Sequence, residues 1–259
     1  VLAPLAYRVA IHGTVQTSYF FFLTFLPLVN PRSLDRSLFE LDLWLFGFEP
    51  SLALERYITS FSSEWFAFFY FWYFLVLALH SLPIVLCERR ERLLGEFTLG
   101  MLLVFCVGHV CYMAVPGFGP VKELEALWTR PLPSGFWVNT VLKTVKSGGA
   151  QKDIFPSLHT AAPTFITLFS FRNRESRPFN YTWPIVGFFS VNIVIATMFL
   201  RWHWLIDVVA GLILAVLSFV LSIHVTRWDL ARRRTNQLGP SWPAFRLVCR
   251  AAPTEQQFS

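Results

Sequence analysis

Long apolar stretches alternate with short polar ones along this 259-residue chain. Six of them, at about 9 to 29, 64 to 86, 97 to 115, 158 to 172, 182 to 200 and 204 to 226, approach the roughly 20 residues that a helix needs to cross hydrocarbon. In that medium every backbone polar group must bond within its own segment, so the pattern predicts six transmembrane helices and no strands. The fourth is short and depends on its neighbours. In the first, Arg8 and His12 precede an apolar run from Tyr19 through Val29, for which a signal peptide is the competing reading. Asn30-Pro31-Arg32 follows where a small-x-small cleavage pattern would stand, so a first helix is expected.

The connections carry patterns of their own. Between the first two spans, Leu34, Leu38, Leu41, Leu45 and Phe46 recur at helical spacing, which predicts short amphipathic helices lying along the membrane surface. The connection between the third and fourth spans is roughly 40 residues long. Val115-Pro116-Gly117-Phe118-Gly119-Pro120 opens it and Ser147-Gly148-Gly149 lies near its end, both of them helix breakers. Loops of that length in compact domains are commonly functional, and this one is expected to act as a lid over the substrate. The fold class expected is all-α integral membrane, one six-span domain over residues 1–259 with its catalytic core at about 97–226 and a tail at 227–259.

Composition agrees and excludes alternatives. With 54% hydrophobic and 15% charged residues, the chain has too little polar surface for a soluble globule of this length. Its net charge of +6 could suggest nucleic acid, but the arginines fall where orientation in a membrane explains them. Arg89, Arg90 and Arg92 sit in one connection, Arg172, Arg174 and Arg177 in a second, and Arg227, Arg232, Arg233 and Arg234 in the tail. All three belong on the cytoplasmic side, with both termini. The segment from Asn30 to Ser63 is rich in acids, among them Asp35, Glu40, Asp42, Glu49 and Glu55, and belongs outside. The sequon Asn180-Tyr181-Thr182 then faces the cytoplasm, where it would go unused. No nucleic-acid partner is expected.

The lysines break the pattern. All four, Lys122, Lys143, Lys146 and Lys152, lie in the long outer connection with Arg130 among them. A cationic loop on the less positive side suits an anionic substrate, although a loop this long also escapes the orientation rule.

Two strings at span entrances carry the candidate chemistry: Phe155-Pro156-Ser157-Leu158-His159 and Arg201-Trp202-His203-Trp204-Leu205-Ile206-Asp207. Ionisable groups beside hydrocarbon are costly, which makes both strings functional candidates. Ser157 is a good N-cap for the fourth helix, whose first amides form a ready anion site. His203 and Asp207, four residues apart, share a helix face, so the carboxylate can orient one ring nitrogen and leave the other as nucleophile. An imidazole so held can attack phosphorus, and a second histidine, His159, can protonate the departing oxygen. Both strings lie on the same outer face.

At these residues the chain resembles the type 2 phosphatidic acid phosphatase superfamily, with its motifs Lys-x6-Arg-Pro, Pro-Ser-Gly-His and Ser-Arg-x5-His-x3-Asp. The second is matched by Pro156-Ser157-Leu158-His159 with Leu158 for Gly, and half of the third by His203 and Asp207. The resemblance implies a phosphohistidine on His203, Asp207 as its orienting partner and His159 as general acid. It departs in two places. Lys122 and Arg130-Pro131 are separated by seven residues instead of six, about 100° out of register on a helix. Thr197 stands where the third motif has arginine. The run from Ala196 to Gly211 is similar to that of inositol phosphorylceramide synthases, which move a phospho-headgroup between lipids. A phosphodiester carries one negative charge and needs fewer fixed cations than a monoester, which suits the missing arginine. Lys122, Arg130, Ser157, Lys152 and Arg201 are the candidate phosphate ligands, with Lys143 and Lys146 as possible replacements for it.

The remaining features have plainer readings. His12, His80, His109 and His224 are scattered without ligand spacing, so no metal site and no cofactor are expected. Cys87, Cys106, Cys111 and Cys249 form no Cys-x2-Cys pair and read as buried small hydrophobes. Trp128, Trp137, Trp202 and Trp204 fit an interfacial aromatic belt. Three functions stay open: transfer of a phospho-headgroup from a phospholipid to a lipid hydroxyl; release of phosphate to water from a lipid phosphate or polyprenyl pyrophosphate; and a non-catalytic transporter or lipid-binding protein.

Overall fold

A computed structural model describes residues 2–148 and 152–242, and these contain helices and no strands. Gly149, Cys249 and the tail beyond Trp242 lie outside the described residues. Five helices are long and apolar enough to cross a membrane: α1 (Leu2–Val29), α4 (Ser60–Cys87), α5 (Glu91–Ala114), α9 (Phe179–Phe199) and α10 (Leu205–Thr235). The sixth expected crossing falls on α8 (Leu158–Arg172), which at 15 residues is too short to qualify by length. Its burial explains how so short a helix is tolerated. Ala161, Ala162, Phe165 and Ile166 are wholly inaccessible, because α8 is packed by α5, α9 and α10. A helix wrapped in protein need not span hydrocarbon by itself.

Helix ends differ from the apolar edges where polar residues continue the helix. α10 runs on to Thr235, and Asp229 pairs with Arg232 at 3.2 Å and Arg233 at 2.7 Å. α4 begins early because Thr59 and Ser62 form a capping box, Thr59 Oγ1 accepting from the Ser62 amide at 3.1 Å. At the other end of the bundle from the two histidine strings, Glu96 is fully buried and meets Arg92 at 3.1 Å and Arg172 at 3.5 Å.

The acidic segment between α1 and α4 is helical: α2 (Asp35–Phe46), α3 (Pro50–Leu54) and a 3-10 turn at Glu55–Tyr57. Its acids do more than mark a side. The buried face of α2 presents Asp35 and Asp42. Asp35 accepts from the amides of Phe118 at 2.6 Å and Gly119 at 2.8 Å and from the Trp204 indole at 3.1 Å. Asp42 accepts from the amides of Leu205 at 2.7 Å and Ile206 at 2.8 Å. Glu55 takes the amides of Thr129 and Arg130, and Glu64 on α4 takes those of Trp137 and Val138 at the start of α7 (Phe136–Gly148). One connection is thus fastened to the other by carboxylates on backbone amides. Charge-assisted bonds of this kind are the stronger class.

Two expectations fail here. Trp204 is no belt residue: it is fully buried, with its indole on Asp35. Cys87 and Cys106 are exposed and Cys111 is half-buried, so these three do not serve as buried hydrophobes. In a membrane-embedded bundle the apolar outer face is the one that meets lipid.

Candidate active site

His159 opens α8 and His203 ends the turn between α9 and α10. The turn is tied down from below, since the Thr197 carbonyl accepts the amides of both Trp202 at 2.9 Å and His203 at 3.1 Å. Within it, Arg201 takes a φ of 69°, a conformation costly for a residue with a side chain and found where surroundings enforce it. Its guanidinium supplies that enforcement, meeting Glu55 at 3.3 Å and the Arg130 carbonyl and lying 3.9 Å from the Trp128 ring centre. Gly119 has a φ of 84°, and a Cβ there would collide with the Trp202 backbone, so only glycine lets this loop close on the turn. Gly211 plays the matching role on α10. A Cβ there would come within 2.6 Å of the Ser157 carbonyl, so its absence lets α10 close on the Ser157 turn that opens α8. The Ser157 amide then donates to the Asp207 carbonyl at 3.0 Å.

The result is two imidazole rings with centroids 6.2 Å apart. Both line a cavity of about 810 Å3, apolar over most of its wall. His203 Nδ1 faces Asp207 Oδ2 at 3.5 Å, at the outer edge of hydrogen-bonding range, and the same oxygen accepts from the Trp204 amide at 2.9 Å. His203 Nδ1 and Asp207 Oδ1 are both buried without a hydrogen-bond partner. Such pairs are commonly loose before substrate binds and tighten afterwards. Burial lowers the His203 pKa to about 4, opposed by the Asp153 charge and the Ile154 backbone, so the ring is neutral near pH 7. A neutral ring has a lone pair to offer. His159 is held by stacking instead of hydrogen bonds: the Tyr70 ring lies 4.4 Å away at 9°, Tyr73 lies 4.2 Å away, and Nε2 has no partner.

The candidate phosphate ligands separate. Lys122 lines the cavity, its ammonium 3.5 Å from the Phe118 ring centre, and Lys146 on α7 lines it as well. The others have different employment. Lys152 is buried and donates to the carbonyls of Pro31 at 2.8 Å and Arg32 at 3.1 Å, closing the end of α1. Arg130 reaches the Arg56 carbonyl at 3.3 Å, and Arg201 is held by Glu55 as described. Ser157 is fully buried and caps α8, its Oγ accepting from the Thr160 amide at 3.3 Å. None of Ser157, Lys143, Lys152, Arg130 and Arg201 lines the cavity. The expected lid is structured, with α6 (Pro120–Glu123) and α7 forming part of the cavity wall.

Sequence reasoning missed Asp153, Tyr70 and Tyr73. Asp153 lines the cavity, accepts from the Tyr19 hydroxyl at 2.6 Å and has its pKa raised by burial against that bond. A carboxylate directly beside the histidine string, next to Lys152, was the available signal. The tyrosines were hidden inside an aromatic run that reads as packing surface.

A family profile described as the PAP2 superfamily matches residues 36–221, well over half of the chain. This chain belongs to the PAP2 superfamily. The match spans α2 to α10 and so includes both histidine strings and the loop that carries Lys122. Membership makes it a lipid enzyme of the phosphatase or phosphotransferase type. No curated protein and no solved structure matches the chain.

Proposed function

We propose that this PAP2 superfamily protein transfers a phospho-headgroup, of the phosphoinositol kind, from a phospholipid to a lipid hydroxyl, as the inositol phosphorylceramide synthase branch does. The observation that carries the reading is the cationic set around the two histidines. Thr197 stands where the motif has arginine, Arg201 is turned onto Glu55, and the cations lining the cavity are the flexible Lys122 and Lys146. That set lacks the motif's arginine, and a phosphodiester with one negative charge needs fewer fixed cations than a monoester.

In the mechanism, His203 Nε2 attacks phosphorus while the phosphate–oxygen bond to the glycerolipid breaks. Protonated His159 gives its proton to the departing oxygen. The acceptor hydroxyl then yields its proton to His159 and attacks the phosphohistidine, releasing His203 neutral. Asp207 holds Nδ1–H throughout and balances the charge on the substituted ring. Six crossings with both termini cytoplasmic, α8 among them, put this site on the extracytoplasmic face of one membrane domain whose catalytic core covers 97–226, with α2 along the membrane surface and 227–259 in the cytoplasm. The whole-molecule positive-inside pattern supports that orientation.

The second reading is a lipid phosphate phosphatase with water as acceptor, favoured by the two lysines together, since their combined charge balances a monoester dianion. Purified protein supplied with phosphatidylinositol and ceramide or diacylglycerol is expected to form a new phosphoinositol lipid and release diacylglycerol. Free phosphate from phosphatidic acid alone would establish the phosphatase instead. His203→Ala is expected to lower either activity by at least a thousandfold and to abolish acid-labile labelling of the protein by a phosphorus-labelled donor.

A further inference from the structure

The cavity at the two histidines does not end beneath them. A second cavity of about 340 Å3 lies between α1, α4 and α5 and shares Gln16, Phe74, Leu77 and Phe105 with the first. On α4 its lining runs from Phe74 to Leu86, about 18 Å of helix at 1.5 Å per residue. Half of a roughly 30 Å hydrocarbon core is about 15 Å, so this slot is as deep as one leaflet. Its wall is apolar save for a few groups. One of these, His12, is already bonded to Thr98 Oγ1 at 3.1 Å. Arg8 donates to the carbonyls of Val85 at 3.3 Å and Glu88 at 2.9 Å, joining α1 to the end of α4 at the slot's far end.

Water has little to bond to in such a slot, and empty apolar cavities take up apolar ligands. α1 forms its outer wall and is loosely seated, with Arg8, Phe22 and Leu26 its buried residues among those described. We propose that this slot receives an acyl chain of the donor phospholipid, entering from the bilayer between α1 and α4, and so sets the depth at which the phosphate meets His203. The proposal rests on the headgroup-transfer reading and adds to it a site for the chain. It also gives α1, which lies outside residues 36–221 of the family match, a part in binding substrate.

Gly13 offers a direct test, because it lines the slot and a Cβ there meets nothing within 4 Å. Gly13→Phe places a ring in the slot, and Phe is the better helix former. The whole protein is compared on dihexanoyl and dioleoyl phosphatidylinositol with one acceptor. The ratio of kcat/KM for the long-chain to the short-chain donor is expected to fall at least tenfold in Gly13→Phe and to stay unchanged in Leu79→Phe, which is exposed and outside the slot. An unchanged ratio in Gly13→Phe overturns the proposal. If the wild-type protein turns over neither donor, the transfer reading fails, and the slot is decided separately by a phosphatidylinositol with a photoreactive acyl chain. Crosslinks mapping to Gly13, Ala78 or Met101 sustain it, and crosslinks confined to lipid-exposed residues such as Leu79 and Val110 overturn it.

Discussion

The two histidines of this site are held by different physical means, a difference that fits the separate roles proposed for them. His203 has a carboxylate behind it and is kept neutral by burial, whereas His159 is held by the faces of two tyrosine rings. With the His203 pKa at about 4, well below its ordinary value near 6.5, the ring proposed as nucleophile gains its lone pair as pH rises through 4 and keeps it above. The acid limb of phosphohistidine formation, measured in single turnovers, is therefore expected near pH 4. A limb near 6.5 would mean an exposed ring. Lys122→Ala is expected to raise KM about tenfold with a smaller effect on kcat, as befits a flexible cation at the cavity wall. That His159, His203 and Asp207 come together was legible, because type and spacing alone mark them. Which cation faces the cavity was not, because Lys146 and Lys152 share a loop and differ only in where α7 and the end of α1 direct them.

At the scale of elements, the site is the meeting of three helix ends, α8, α9 and α10, with the acidic segment that braces them. Apolar runs located the long helices, and Ser157 located the start of α8 to the residue. What the runs could not convey is that Asp35, Asp42, Glu55 and Glu64 fasten amides more than 70 positions away. A count of acids shows a negative segment, and only tertiary structure shows what each oxygen accepts. Asp42→Asn keeps the shape but turns one of its two amide contacts into a donor facing a donor. It is expected to cost about 1–2 kcal/mol of stability. Because Leu205 follows the His203 turn directly, kcat should fall with it. Thermal unfolding and turnover measured on the same preparation check both; loss of stability with full turnover would separate Asp42 from the site.

For the molecule as a whole, orientation is the property most open to test. In a protein whose only cysteine is Cys87, at the end of α4 away from the site, a membrane-impermeant maleimide is expected to react only after the membrane is opened. With Ser134→Cys as the only cysteine, in the exposed connection before α7, it is expected to react in intact cells. The reverse pattern would invert the topology and place the chemistry in the cytoplasm. The fold class was readable from hydrophobic runs. The status of α8 was not, since a 15-residue apolar run is equally a short crossing or a buried core helix.

The cap on α10 has a last consequence. A helix start commonly serves as a cradle for anions, through its open amides and the positive end of its dipole. Here the amides of Trp204, Leu205 and Ile206 are all taken by Asp207 and Asp42, so that end of the dipole is already answered by the protein's own carboxylates. Phosphate brought to His203 in the proposed reaction would meet no anion hole on the helix that carries Asp207. In the proposed reaction its negative oxygens are balanced instead by Lys122 and Lys146 on the cavity wall, so the helix end behind His203 supplies none of the positive charge the transfer needs.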